Sequence, residues 1–174
     1  DHCLSRGLGD VYKRQGGTWA DAASSYNIGI GSLVMDSALD GALYNTAIGY
    51  AALSGITTAD NNVALGAGSL QELTTGQGNI AIGRASMNVH GTGGYNTAIG
   101  NFAMTDTNAG STSAGSTHNI FIGNLAGGGS WSNAASNYNV GIGNYVMDAG
   151  MNGALYNTAI GYNAASALTT GDQN

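Results

Sequence analysis

The sequence predicts an all-β protein, a parallel β-solenoid or β-roll built from short coils. The first observation is a five-residue phrase, Asn-Thr-Ala-Ile-Gly, that begins at Asn45 and recurs unchanged at Asn96 and Asn157. The second is that five looser copies bring the total to eight, with most starts 17 or 18 residues apart and two intervals of 23 and 20. A period this short cannot hold a pair of helices. It is typical of a solenoid that makes one coil per repeat.

Each copy runs from an Asn at position i to a Gly at position i+4. A Gly in that place suits a corner with positive φ or a close approach of two backbones. The Asn tolerates a left-handed corner, and its amide can hydrogen-bond along a ladder of stacked copies. The repeat residues, as Asn and Gly pairs, are Asn27 and Gly31, Asn45 and Gly49, Asn62 and Gly66, Asn79 and Gly83, Asn96 and Gly100, Asn119 and Gly123, Asn139 and Gly143, and Asn157 and Gly161.

The three residues between Asn and Gly predict one short strand per coil. Positions i+1 and i+3 are aliphatic or Thr, whereas i+2 is Ala or Gly in every copy except Phe121. Because side chains alternate along a strand, i+1 and i+3 share one face. We expect that β-branched face to line the interior and the small i+2 residues to point outward, against another chain. A second apolar position falls at i+8, where Gly127 interrupts a run of Met, Leu and Ala.

The first fifteen residues do not fit the repeat and contain three of the four basic residues. The segment from Ser5 to Gln15 back-translates readily to a transposase-type sequencing adapter read in frame. We therefore divide the chain into residues 1–15, a non-native and disordered start, and residues 16–174, a repeat domain of about eight coils cut from a longer chain. Cys3, the only cysteine, belongs to the excluded start.

Composition excludes several classes of function. Residues 16–174 contain one basic residue, Arg84, and eight acidic residues, a net charge of −7. No basic patch is left to bind nucleic acid or an anionic membrane. No apolar run approaches the roughly 20 residues of a membrane-spanning helix, so we expect no direct membrane insertion by this segment. Without a cysteine in the repeats, neither a disulfide framework nor a thiolate metal site is expected.

The phrase Asn-Thr-Ala-Ile-Gly-Tyr, followed by Ala and Leu, resembles the head repeat of YadA-like trimeric autotransporter adhesins, and it is also similar to phage tail-fibre repeats. The resemblance covers residues 26–174. It implies a left-handed parallel β-roll and a homotrimer located outside the cell, on a bacterial outer-membrane surface or in a virion tail fibre. The coils of 17 or 18 residues are longer than those of the family, and Thr or Ile often replaces its Ser-Val pair.

These observations lead to the expectation of a passive, non-enzymatic fibre segment. It would belong to a bacterial surface adhesin and present a binding surface to a host protein or glycan. A receptor-binding segment of a phage tail fibre is the alternative, and an ice-binding solenoid is a further one. A thin coil buries few aliphatic side chains, and the free energy gained by that burial is small compared with the entropy lost in ordering the residues. This imbalance also favours assembly with other chains.

No catalytic, cofactor or metal site is expected. His90 and His118 lie apart in the sequence, in Gly/Ser/Thr contexts typical of exposed turns. Asp36, Asp40 and Asp148 lack a calcium-binding repeat pattern. Tyr residues precede the motif in five copies and suggest either an aromatic ladder or a sugar-binding column.

Two insertions, residues 105–118 and 127–138, lengthen the period and are expected to form surface loops. Binding sites in solenoids often lie on such insertions. Trp131, Asn133 and Tyr138 in the second insertion are therefore the candidate ligand contacts. The alternative for Trp131 is a ring folded over the coil as a local cap.

Deleting residues 1–15 should leave the melting temperature unchanged, because that segment lacks the repeat phase. Differential scanning calorimetry of the shortened and full-length chains tests this. A loss of several degrees would show that the segment is part of the fold.

Overall fold

The computed structural model describes residues 24–107 and 115–174, so the expectation for residues 1–15 lies outside the described chain. Each copy of the repeat forms one three-residue strand, and we number the coils one to eight by these strands. The strands are β1 Ile28–Ile30, β2 Thr46–Ile48, β3 Val63–Leu65, β4 Ile80–Ile82, β5 Thr97–Ile99, β6 Ile120–Ile122, β7 Val140–Ile142 and β8 Thr158–Ile160.

The eight strands form one parallel sheet in which they follow their order in the chain. Each residue pairs with its equivalent in the next repeat, so Thr46 lies opposite Val63 and Ile48 opposite Leu65. The register survives the longest interval, where Thr97 pairs with Ile120 across the 23-residue step. The prediction of an all-β solenoid with one coil per repeat is confirmed, with about seven turns in the described chain.

The asparagines at position i form a continuous buried ladder, as predicted. In every step the side-chain Oδ1 of one Asn accepts hydrogen bonds from both the backbone N and the Nδ2 of the next, at 2.8–3.1 Å. The Nδ2 also donates to a carbonyl on the far side of its own coil, from Asn45 to Ala59 and from Asn62 to Gly76, for example. The ladder therefore ties coil to coil and also closes each coil.

Position i+4 is a corner that only glycine fits. The eight repeat glycines have φ between 128° and 142°. A Cβ placed on the first seven of them would lie only 2.2–2.6 Å from a carbonyl atom of the next repeat glycine. The predicted glycine corner is confirmed on both counts. The left-handed corner expected at the Asn lies one residue earlier, where Tyr26, Tyr44 and their equivalents have φ near 60°.

The prediction of which face points inward is wrong. Ala47, Ala64 and Ala81 at position i+2 are fully buried inside the coil, whereas Ile48 at i+3 is 39% exposed. The strands therefore present their β-branched face to solvent. The reason is the thinness of the coil: a small residue on the inner side of the strand leaves room for the long side chains that come from the opposite wall.

Two columns supply most of the long side chains of the interior, beside a third column of mostly small buried residues at i+7, such as Ala52 and Val146. The predicted i+8 column is confirmed as core, with Leu53, Leu70 and Met87 fully buried. A second column at i+11 or i+12, which we call the inner column, was not predicted from the sequence. Its members are Leu39, Ile56, Leu73, His90, Thr107, Trp131, Met151 and Leu168.

Two irregular residues of the repeat compensate each other in coil six. Phe121 replaces the usual Ala at i+2 and is fully buried, and Gly127 replaces the usual Met or Leu at i+8. A Cβ on Gly127 would lie 2.8 Å from the Phe121 ring, and one on Gly141 in the next coil would lie 2.6 Å from it. The Phe ring thus occupies the volume that the two glycines leave free, as close packing of a core requires.

Single substitutions at two neighbouring residues of one strand test which face of the strand points into the coil. Ala64→Ile should destabilise the fold by about 1–3 kcal/mol, because extra methyl groups would overpack the interior. Val63→Ile should change the free energy of unfolding by less than about 0.5 kcal/mol, because that side chain points outward. Chemical denaturation of both variants measures the difference. Equal destabilisation would contradict an inward Ala64 and an outward Val63.

Candidate functional site

The outer face of the sheet is a largely aliphatic surface with Thr at position i+1 of three strands, and we call it the aliphatic face. It is formed by the i+1 and i+3 side chains of all eight strands, and it includes Ile30, Ile120 and Ile160, which are 51%, 40% and 69% exposed. At a strand spacing of about 4.8 Å it extends over roughly 34 Å. No charged residue occupies either position in any strand. A continuous apolar patch of this kind marks an interaction surface.

The residues that precede the motif form a second extended feature, the tyrosine column. Tyr26 and Tyr44 stack with ring centroids 4.9 Å apart. A longer stack runs from Tyr95 through His118 and Tyr138 to Tyr156 at 5.0–5.1 Å. The rings are exposed, but each inner ring has its two faces against neighbouring rings. The column is therefore an aromatic ladder between coils, and it offers a ligand ring edges and hydroxyl groups more than open ring faces.

Trp131, which was predicted to contact a ligand, lies in the interior of the coil. Its side chain is fully buried in the inner column. The indole Nε1 donates a hydrogen bond to the carbonyl of Gly127 at 3.0 Å, and the ring packs edge-on against Phe121 with centroids 5.8 Å apart. A residue with no exposed surface and a paired N–H cannot contact a ligand. The proposed recognition role of Trp131 is thus incompatible with its position, and a packing role takes its place.

The other two candidates lie at the surface. Asn133 is exposed in a turn with φ of 57°, and Tyr138 is 46% exposed within the tyrosine column. Their role in ligand contact stays a prediction. The first insertion falls largely on residues 108–114, which are outside the described chain.

The two histidines occupy different environments. His118 lies in the exposed tyrosine column, whereas His90 is fully buried in the inner column. The expectation of an exposed turn is therefore wrong for His90. Burial lowers the pKa of His90 to about 4, opposed in part by a hydrogen bond with the backbone of Gly93. Within residues 24–107 and 115–174, no three His, Cys, Asp or Glu residues are grouped to hold a metal ion.

Comparisons with models of protein families, with curated proteins and with solved structures found no match to this chain. In the part of the chain that the structure describes, no helix is long and apolar enough to cross a membrane. The functional interpretation therefore depends on the two extended surfaces.

The aliphatic face was visible in the sequence but was assigned to the wrong side of the strand. One signal pointed to the correct side. The residue at i+2 is Ala or Gly in seven of the eight copies, whereas the residue at i+8 is Met or Leu in six. The small residues at i+2 also leave space that the long side chains at i+8 fill.

Trp131→Ala should lower stability by about 3–5 kcal/mol, because it removes a large buried side chain and leaves a cavity beside Phe121. Tyr156→Ala, at the end of the exposed column, removes a single stacked pair and should cost less than about 1.5 kcal/mol, the upper value for such a pair. Urea unfolding of both variants provides the comparison. A Trp131→Ala variant as stable as the parent would place the indole outside the core.

Proposed function

We propose that this chain is a structural, adhesive fibre segment that assembles with copies of itself and presents its outer surface to a cell. The observation that carries the proposal is the aliphatic face. An uncharged surface that follows all eight strands would be exposed to water in a single chain and would be covered in an assembly.

The assembly is a homotrimer in which three aliphatic faces meet around one axis. A closed ring with cyclic symmetry covers every copy of the same surface. The number three comes from the resemblance to trimeric adhesin heads. The contact surface differs from the one expected from sequence, because the Ala and Gly residues at i+2 lie inside the coil and cannot meet a partner.

In such a trimer the surface available for recognition is the tyrosine column, the turns and the second insertion. Exposed Tyr and Asn side chains suit contacts with a glycan or a protein, since they combine a rigid apolar surface with hydrogen-bonding groups. Asn133 and Tyr138 are the residues we assign to this contact. The segment performs no chemistry, and its place is extracellular, on a bacterial surface in an adhesin or on a virion in a tail fibre.

The outward direction of position i+1 also bears on the ice-binding alternative. Thr46, Thr97 and Thr158 lie on the solvent side of the sheet. However, Ile or Val occupies this position in the other five strands, so the face is an aliphatic surface with scattered hydroxyl groups. This composition favours contact with another apolar surface.

The triple variant Ile48→Lys, Ile80→Lys and Ile142→Lys should convert the trimer to a monomer, because three charges per chain would face one another on the axis. Size-exclusion chromatography with light scattering measures the mass. The matched control places three lysines at Tyr50, Ala67 and Thr75, which are exposed outside the aliphatic face and should leave the trimer intact. A monomeric parent chain with native circular dichroism would contradict self-assembly.

Beads coated with the trimer separate the biological alternatives. Binding to animal cells or matrix supports the adhesin, and binding to bacterial cells supports the phage fibre. Incorporation into a growing ice crystal supports the third alternative. A trimer that shows none of these activities would contradict a role in surface recognition.

A further inference from the structure

The inner column is aliphatic in the first three coils and becomes polar at coil four. In the first three coils it holds Leu39, Ile56 and Leu73, and in the fourth it holds His90, a titratable group with no exposed surface. Thr107 follows in the fifth coil. The polar pair interrupts an aliphatic stack in the middle of the described chain.

The hydrogen bonds of His90 define its protonation state. The Nδ2 of Asn96 lies 3.2 Å from the Nε2 of the imidazole. The orientation of this amide is known, because the Oδ1 of Asn96 accepts the hydrogen bonds of the next Asn in the ladder, Asn119. An amide nitrogen only donates, so the Nε2 is the acceptor. The proton of the neutral ring is therefore on Nδ1, which lies 2.5 Å from the Oγ1 of Thr107.

The hydrogen bond with the backbone of Gly93 offsets the cost of burial only in part, and a second proton on this ring meets no counter-charge. It would go to Nε2 and point at the N–H group of Asn96, itself a member of the Asn ladder. The groups described in contact with the ring are Asn96, Thr107 and Gly93, none of which is a carboxylate. Coil four contains no acidic residue, and the adjoining coils contain one each, Glu72, which is exposed, and Asp106, which is half-buried. Burial without a counter-charge makes the charged imidazole costly.

We propose that His90, held between Asn96 and Thr107, is an acid-sensitive joint at which coils four and five of the solenoid open while the flanking coils stay wound. Protonation breaks the contact between the imidazole and the Asn ladder at this step. The ladder is thereby interrupted between Asn79 and Asn119. Coils on either side keep their own Asn steps and their apolar inner column.

The direction of the pH effect follows from the two states of the ring. In the closed joint the pKa of His90 is about 4, and in an open joint it returns to the ordinary value of 6.5. The closed form is therefore most stable above pH 6.5, and the advantage is lost as the pH falls from 6.5 toward 4. The opening equilibrium should rise by about 100-fold between pH 7 and pH 4.

Hydrogen exchange of the full chain, read by mass spectrometry and corrected for the intrinsic effect of pH on exchange, tests the joint. At pH 4, peptides from residues 79–107 should exchange about 100-fold faster than in His90→Leu, and the two proteins should agree at pH 7. Leu is the matched substitution because it occupies the same column in coils one, three and eight. Peptides from residues 45–70 and 139–160 should exchange equally in both proteins at both pH values.

Two further variants test whether the titration of the His90 imidazole itself opens the joint. His90→Gln, which is polar but does not titrate, should also lose the acid response. His118→Tyr, which replaces the one His of the aromatic stack from Tyr95 to Tyr156 and leaves His90 in place, should keep the acid response. Equal exchange in the parent and His90→Leu at pH 4, loss of protection along the whole chain, or loss of the response in His118→Tyr would each overturn the proposal.

Discussion

The buried Asn ladder is the interaction on which the rest of the structure depends. Each amide is shielded from water, so its N–H and C=O groups need partners within the protein, and an unpaired one would cost about 1–3 kcal/mol. These partners are available only when equivalent asparagines lie one strand spacing apart and when the far wall of the coil returns to the same level. The ladder thereby sets the register of the sheet and the closure of the coil together. Insertions are tolerated because they lie between two anchored asparagines.

Much of the fold was predictable because it is local and periodic. The phrase that starts at Asn45 predicts the strand, the parallel order and the register, and Gly49 predicts the corner, since each depends on a residue type at a fixed offset. Which face of the strand points into the coil was not predictable in the same way. Alternation separates Ala47 from Ile48, but it does not say which of them lies inside. That choice depends on the volume of residues that arrive from another part of the coil.

The candidate site was less predictable than the fold. Trp131 lies in a Gly- and Ser-rich stretch that resembles an exposed loop, and composition alone supports that interpretation. Its offset of twelve residues from Asn119 contains the correct information, because Leu39 and Met151 have the same offset from their own asparagines. The oligomeric state differs from these properties of the single chain. It depends on contacts between chains, for which a single sequence supplies only an apolar surface.

The stacking of coils has a mechanical consequence. The strands lie across the long axis of the solenoid. A force along that axis is therefore shared among all the hydrogen bonds between two adjacent coils. Such a rod resists stretching until one whole interface fails. Each coil that then detaches releases 17 or 18 residues. These residues span about 60 Å when extended, whereas the folded coil contributed about 5 Å to the length of the solenoid. A solenoid of these coils can therefore lengthen about twelvefold in discrete steps and dissipate a shock without breaking its covalent chain.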